Sequence, residues 1–296
     1  MRTLKKIAAF SMTMVLGLSV LAGCGSGKDA GSDSKGNGGK AQNVKVIDVD
    51  LTSEEYAFGV DKDQEDLLKQ VNDFITEIKS NGTFEEICNH YFGDGTPVEV
   101  VSEEPDDSKD QLVVATNAAF QPFEYTKGDK YLGIDMEIAK KLADKLGKEL
   151  VIQNMDFDAV CLSVGQHKCD IAMAGLTIKE SREKYVTFSD AYYSASQRLI
   201  VRSDETEFDS MNNADAIAKA LKKKDASVKI GVQNGTTGKL YCEGDQESGF
   251  EALPVTTVGY KNGSLAVQDM INGNVDYVII DAAPAQCIAD ALNKMQ

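Results

Sequence analysis

Residues 112–125, LVVATNAAFQPFEY, open a run whose reading sets the architecture of the chain. LVVAT is a short apolar strand pattern. It is followed by GIDMEIAKKLADKLG (133–147), where Ile134, Ile138, Leu142 and Leu146 recur every fourth residue until Gly147 ends the helix. Next come the strand ELVIQ (149–153), the helical FDAVCLSVGQ (157–166) and the strand DIAMAG (170–175). Strand, helix, strand, helix, strand predicts a mainly parallel sheet covered by helices.

A second unit of the same kind starts after the charged stretch near residues 203–209. VKIGVQ (228–233) leads into the glycine-rich NGTTGKL, then ALPVTTV, the helical SLAVQDMING, the strand VDYVIID (275–281) and a final helix to Lys294. Upstream, VKVIDVDL (44–51) reads as a strand. A helix follows with Leu67, Leu68, Val71, Phe74, Ile75 and Ile78 on one face; Asn81-Gly82 ends it, and Thr83 to Glu86 predicts a capping box for the next. Two α/β lobes are the expected division.

The extreme amino terminus carries Arg2, Lys5 and Lys6, an apolar run over 7–21, and then Ala22-Gly23-Cys24. Since a membrane span needs about 20 apolar residues, this is read as a secretory signal over 1–23. LAGC resembles a bacterial lipobox, which predicts a diacylglycerol on Cys24. Residues 24–42 lack large apolar side chains and read as a lipidated flexible tether reaching roughly 20–25 Å. Residues 1–23 hold three positive and no negative charges, so removing them takes the formal charge from −16 to −19. Nucleic acid and anionic lipid are therefore poor partners. Cys88, Cys161, Cys169, Cys242 and Cys287 remain; a bridge such as Cys242 to Cys287 stays open, and their spacing fits no zinc pattern.

The stretches LVVATNAAFQPFEY and GLTIKESREKYVTFSDAYY (175–193) resemble the beginning of an amino-acid-binding protein of ABC transporters, bacterial solute-binding protein family 3. EEYAFGVDKDQEDLLKQVNDFITEIKSNGTFEEICNHYFG (54–93) resembles the end of such a protein, yet precedes its beginning. The resemblance implies a two-lobed periplasmic-binding-protein type II fold, circularly permuted. Lobe 1 is expected over 53–198, with residues 99–110 as an exposed connector. Lobe 2 is expected from 43–52 plus 199–296, with crossings near 51–56 and 197–202.

By the same resemblance, Arg182 grips the α-carboxylate of a free amino acid, helped by Thr236 and Thr237 in the turn from Gly235 to Gly238. Asp281, the Gly175 carbonyl and the Thr177 hydroxyl accept from the α-ammonium. Asn117, Phe120, Phe157 and Gln233 line a side-chain pocket that is formally neutral, which favours a neutral amino acid unless Glu124 or Asp156 reaches it. The implied role is a monomeric, lipid-anchored, extracytoplasmic binding component serving a membrane permease and its ATPase. A sensor module, or a dehydratase of the same fold acting on a cyclic amino-acid precursor, is the alternative.

Catalytic and metal patterns are absent from the sequence. His90 and His167 sit in no nucleophile or metal motif, and GTTGK lacks both the leading glycine and the Ser or Thr of a phosphate loop. Asp61-Lys62-Asp63 begins like a calcium loop but lacks its glycine and spaced ligands. No cofactor is expected.

Overall fold

A computed structural model describes residues 43–294. The predicted signal, Cys24 and the tether lie outside the described residues. Two five-stranded sheets form the body. One runs Val44–Val46, Gln197–Arg202, Tyr277–Asp281, Lys229–Gln233, Thr256–Tyr260; the other runs Val186–Phe188, Gly59–Asp61, Ile171–Ala172, Gln111–Thr116, Glu149–Asn154.

The α/β expectation is met, with one difference in strand direction. Gln111–Thr116 pairs in parallel with both Glu149–Asn154 and Ile171–Ala172, as Lys229–Gln233 does with Thr256–Tyr260 and Tyr277–Asp281. The remaining two strands of each sheet are antiparallel. These are the segments that arrive from, or depart toward, the other sheet, so they enter without the helical crossover that a parallel pairing requires.

Helices Ile134–Leu146 and Phe157–Gly165 pack on one sheet, and Gly263–Ile271 and Ala282–Lys294 on the other. The four-residue period of the first is explained by burial: Ile134, Ile138 and Leu142 are fully buried, with Leu146 packed against the same core. Helix Glu65–Ser80 buries Leu67, Val71, Phe74, Ile75 and Ile78, while Leu68 is only half-buried at the edge of that face.

The predicted capping box does not form. Thr83 is already the first residue of helix Thr83–Phe92; Gly82, at φ +83°, turns the chain, and the Asn81 side chain accepts from the Thr83 N–H at 3.0 Å. Glycine at a positive φ lets the break occupy so few residues that Thr83 falls inside the helix.

The strand predicted over 44–51 is shorter, Val44–Val46, and the segment ALPVTTV leads into a strand at Thr256–Tyr260. Residues 197–202 are not a crossing. Their apolar centre, Leu199, Ile200 and Val201, is fully buried in the first sheet. The segments that connect the sheets in chain order include the antiparallel pair Glu54–Tyr56, within the crossing expected near 51–56, and Tyr193–Ala195, which precedes the one expected near 197–202.

The connector 99–110 is more tightly held than an exposed linker. Val100 is buried and exchanges two backbone hydrogen bonds with Tyr131, and the Ser102 hydroxyl accepts from the Ile152 N–H at 2.8 Å. Val98, Val100 and Val101 stand among acidic and polar residues, and only Val100 is buried, so the local pattern is too weak a signal to predict that anchoring. Cys88, Cys161, Cys169, Cys242 and Cys287 are all free thiols, so the bridge left open between Cys242 and Cys287 is not formed.

Candidate functional site

The residues that begin helices and end strands meet in one small cavity. Its wall contains Phe120, Phe157, Gly175, Thr177, Arg182, Gln233, Thr236, Thr237 and Asp281. Of the predicted ligand residues only Asn117 is missing from the wall, and it stands directly behind Gln233. The enclosed space leaves about 10 Å³ for the centre of a water-sized sphere, so anything larger enters only if the walls separate.

Arg182 comes from the short helix Glu180–Glu183. Its guanidinium donates from Nη1 to the Thr177 carbonyl at 2.7 Å and from Nη2 to the Gly235 carbonyl at 3.1 Å, and lies 5.2 Å from the Phe157 ring centre. A planar cation held by neutral carbonyls and an aromatic face can exchange one of them for a carboxylate. Thr236 is the N-cap of helix Thr237–Glu243, although its hydroxyl donates backward to the Gln233 carbonyl at 2.9 Å.

Asp281 ends the strand Tyr277–Asp281 and is 5% exposed. The Tyr56 hydroxyl donates to its carboxylate. Burial, then the neighbouring Glu54, push the Asp281 carboxyl up to about 7, against the opposing hydrogen bonds of Tyr56 and Gln197. Glu54 in turn accepts from Thr177 Oγ1 at 2.7 Å, Thr52 Oγ1 at 2.6 Å and Gln197 Nε2 at 3.0 Å. The Thr237 hydroxyl donates to the Thr177 hydroxyl at 3.3 Å.

Gly175, at φ +53°, sits where a Cβ would lie 3.0 Å from the Phe120 ring. Its N–H donates to Asp135 Oδ2 at 2.9 Å, and Tyr192 Oη donates to Asp135 Oδ1 at 2.6 Å. Burial raises the Asp135 carboxyl to about 7, with those two donors pulling the other way. Asp135 therefore holds the Gly175 turn against the cavity without touching it.

Neither Glu124 nor Asp156 is on the cavity wall. Glu124 is fully buried, its carboxyl driven well above the usual range by burial and by Asp135 and Asp281. Asp156 is exposed and pairs with Lys261 at 3.4 Å.

Several residues of this region escaped the sequence reading. Tyr56 and Glu54 lie two apart on one strand, which places both on one face, but nothing in EEY says that face meets Asp281. Lys179, 5% exposed, donates to Asp245 at 2.7 Å and Ser248 at 2.9 Å and lies 3.4 Å from Glu247. That ion pair holds the Asp245 carboxyl down at about 2. Away from the cavity, His167 bonds Asp61 at 2.7 Å and approaches Asp63 at 3.7 Å. Sequence proximity alone had suggested an unfinished calcium loop there; the histidine from a distant turn satisfies its buried carboxylate instead.

With this geometry in hand, comparison with known proteins is specific. The profile of the bacterial extracellular solute-binding proteins, family 3, matches residues 112–279. The chain belongs to that family. The solute-binding protein is 32% identical over 178 residues to the arginine-binding extracellular protein ArtP of Bacillus subtilis (strain 168), a match covering 60% of this chain and 64% of ArtP. It is 30% identical over 174 residues to the arginine-binding periplasmic protein of Mannheimia haemolytica, covering 58% and 63%. Among solved structures it resembles the ancestral amino acid-binding protein AncCDT-1, a precursor of cyclohexadienyl dehydratase (TM-score 0.53, 28% identity, 61% of this chain and 75% of that one). It also resembles the Gly52Ala mutant of arginine-bound ArgBP from T. maritima (TM-score 0.51, 28% identity, 73% and 81%). The solute-binding protein thus spans less than two thirds of the length of the two arginine-binding relatives.

Proposed function

We propose that the solute-binding protein captures a free L-amino acid between two closing lobes and delivers it to an ABC permease driven by a cytoplasmic ATPase. The observation that carries this reading is the pairing of one guanidinium, Arg182, with one buried carboxylate, Asp281, across a single small cavity. A zwitterion needs that pair of opposite charges. Closure is favoured by ligand because only the closed arrangement offers both at once.

The expected result is thermal stabilisation of the full chain by an L-amino acid and not by its decarboxylated amine. At a hundredfold excess over Kd the gain is about 2.7 kcal/mol, or roughly 5–10 °C in Tm. Equal shifts from acid and amine, or none from any of the twenty amino acids, would sink the proposal. Recovering the ligand chemically unchanged after incubation separates binding from dehydration.

A neutral amino acid is the first reading of the ligand, since among the described residues Asp281 is the only carboxylate on the cavity wall. The names of the relatives favour a second, arginine. Parallel titrations with both decide between them.

The lobes of this proposal are 53–198 and 43–52 plus 199–296, in a circularly permuted order. Three observations support it: Gly59–Asp61 lies in the sheet of Gln111–Thr116, Val44 and Asn293 share backbone-to-amide hydrogen bonds of 3.1 and 2.9 Å, and the family match starts only at residue 112. A chain reordered as 111–296 followed by 43–98 is expected to fold and bind; an unfolded product argues against permutation. Attachment through lipid on Cys24 predicts that Cys24→Ser moves the protein from membrane to supernatant, and equal retention would refute it.

A further inference from the structure

Lys179 is the N-cap of the short helix that carries Arg182, on the segment joining strands Ile171–Ala172 and Val186–Phe188 of one sheet. Its ammonium is met by residues 245–250, a turn between helix Thr237–Glu243 and strand Thr256–Tyr260 of the other sheet. Nζ donates to Asp245 Oδ2 at 2.7 Å and to Ser248 Oγ at 2.9 Å, with Glu247 Oε2 at 3.4 Å, so three oxygens of one turn face its three donors. Glu247 takes a second hold. Its Oε1 accepts from the Glu180 N–H at 2.6 Å, at the first residue of the Arg182 helix.

The turn is held by bonds of its own. Asp245 and Phe250 pair across it through N–H···O bonds of 2.9 and 2.8 Å, and the Ser248 N–H donates to Asp245 Oδ2 at 2.9 Å. The Phe250 ring meets Tyr241 edge-on at 5.4 Å, which ties the turn to the helix before it. None of Lys179, Glu180, Asp245, Glu247 and Ser248 lines the cavity, so these contacts are the same whatever the cavity holds. Opening nevertheless breaks them. Moving Thr177 and Arg182 away from Thr236 and Thr237 also draws Lys179 away from Asp245, because the two sets share the short segments 177–182 and 236–248.

We propose that Lys179 and the turn 245–250 form a latch that holds the lobes shut independently of the ligand and sets how slowly any bound molecule leaves. The latch adds to closure by ligand a closing force that no ligand contact supplies. Charge-assisted hydrogen bonds are stronger than neutral ones, but desolvating the ammonium takes part of that gain back, so the latch biases the equilibrium and still lets the lobes part. A closing contact that touches no ligand slows release of every ligand by one common factor. A residue on the cavity wall discriminates between ligands.

Amide hydrogen exchange and small-angle X-ray scattering of the full chain without added amino acid test the latch directly. The Glu180 N–H should be protected in wild type, and Lys179→Met should speed its exchange about tenfold and raise the radius of gyration. Unchanged exchange in strands 111–116 and 229–233 checks that the variant is folded. No protection in wild type, no change in Lys179→Met, or faster exchange at an unchanged radius overturns the latch. Asp245→Asn keeps the shape of the turn and should act in the same direction, and the double variant should go no further than Lys179→Met alone; additive effects overturn the pairing. The last arm rests on the amino-acid reading and uses L-arginine, L-glutamine and L-histidine as probes. Release of each probe that binds should quicken in Lys179→Met by one factor, equal to within about twofold. An unchanged release rate, or a factor that differs between probes, overturns the latch. If no probe binds, that reading fails, while exchange and scattering still decide the latch.

Discussion

Arg182→Ala is expected to weaken binding of the amino-acid ligand at least about thirtyfold. Removing one partner of a desolvated charge pair commonly costs about 2–5 kcal/mol, and about 1.4 kcal/mol is a factor of ten in affinity. Here the substitution has a second effect: the guanidinium also joins the Thr177 carbonyl to the Gly235 carbonyl, so its loss weakens closure before any ligand arrives. Arg182→Lys keeps the charge but not the planar fork, and should fall between wild type and alanine. Thermal unfolding without ligand checks that each variant is folded. An unchanged Kd in Arg182→Ala would remove this residue from the site.

Asp281→Asn should produce opposite effects on binding and on stability. Asparagine keeps the shape and still accepts from Tyr56, but cannot balance an ammonium, so affinity should again drop at least about thirtyfold. In wild type, an Asp281 carboxyl titrating near 7 predicts that affinity rises about tenfold between pH 6 and 8 as the acceptor ionises. Glu54, Tyr56 and Gln197 face this carboxyl, and Glu124 lies close enough to act on it, so their variants should shift the midpoint. In Asp281→Asn the profile should be flat over that range.

The stability effect follows from the direction of the same shift. The folded-state value is raised above the ordinary 3.8, so the stabilising contribution is fully present below that value and is lost as pH rises through about 7. Above pH 7 the folded protein holds a buried charge that the unfolded chain would solvate. Relieving it makes ligand-free Asp281→Asn more stable than wild type at pH 8, by up to an amount on the order of 4 kcal/mol. The difference should vanish near pH 4. Denaturant unfolding at both pH values reads it, and a variant less stable than wild type at pH 8 would show that Asp281 serves as a structural hydrogen-bond hub rather than a held-back ligand group.

Much of the architecture could be read from local patterns. The four-residue spacing from Ile134 to Leu146 required a helix with one buried face, and the apolar run ending in Asp281 required a strand whose last side chain emerges at the sheet's edge. The glycine-threonine turn after Gln233 was visible because its residue types punctuate a strand-to-helix change. Each of these signals depends on neighbours a few residues apart, so each survives in the one-dimensional order.

The contacts that turn those elements into a site depend on how the two sheets stand against each other, and no periodicity encodes that. Tyr56 meets Asp281 across 225 positions, Gln233 meets Asn117 across 116, and Lys179 meets Asp245 across 66. The raised Asp281 carboxyl arises from burial and from a neighbouring charge, both properties of the packed molecule. The sequence by itself determined the elements and the residue types at their ends; only the tertiary structure decided which of those ends face one another, because solvent exclusion and hydrogen-bond direction exist only once distant segments are packed together.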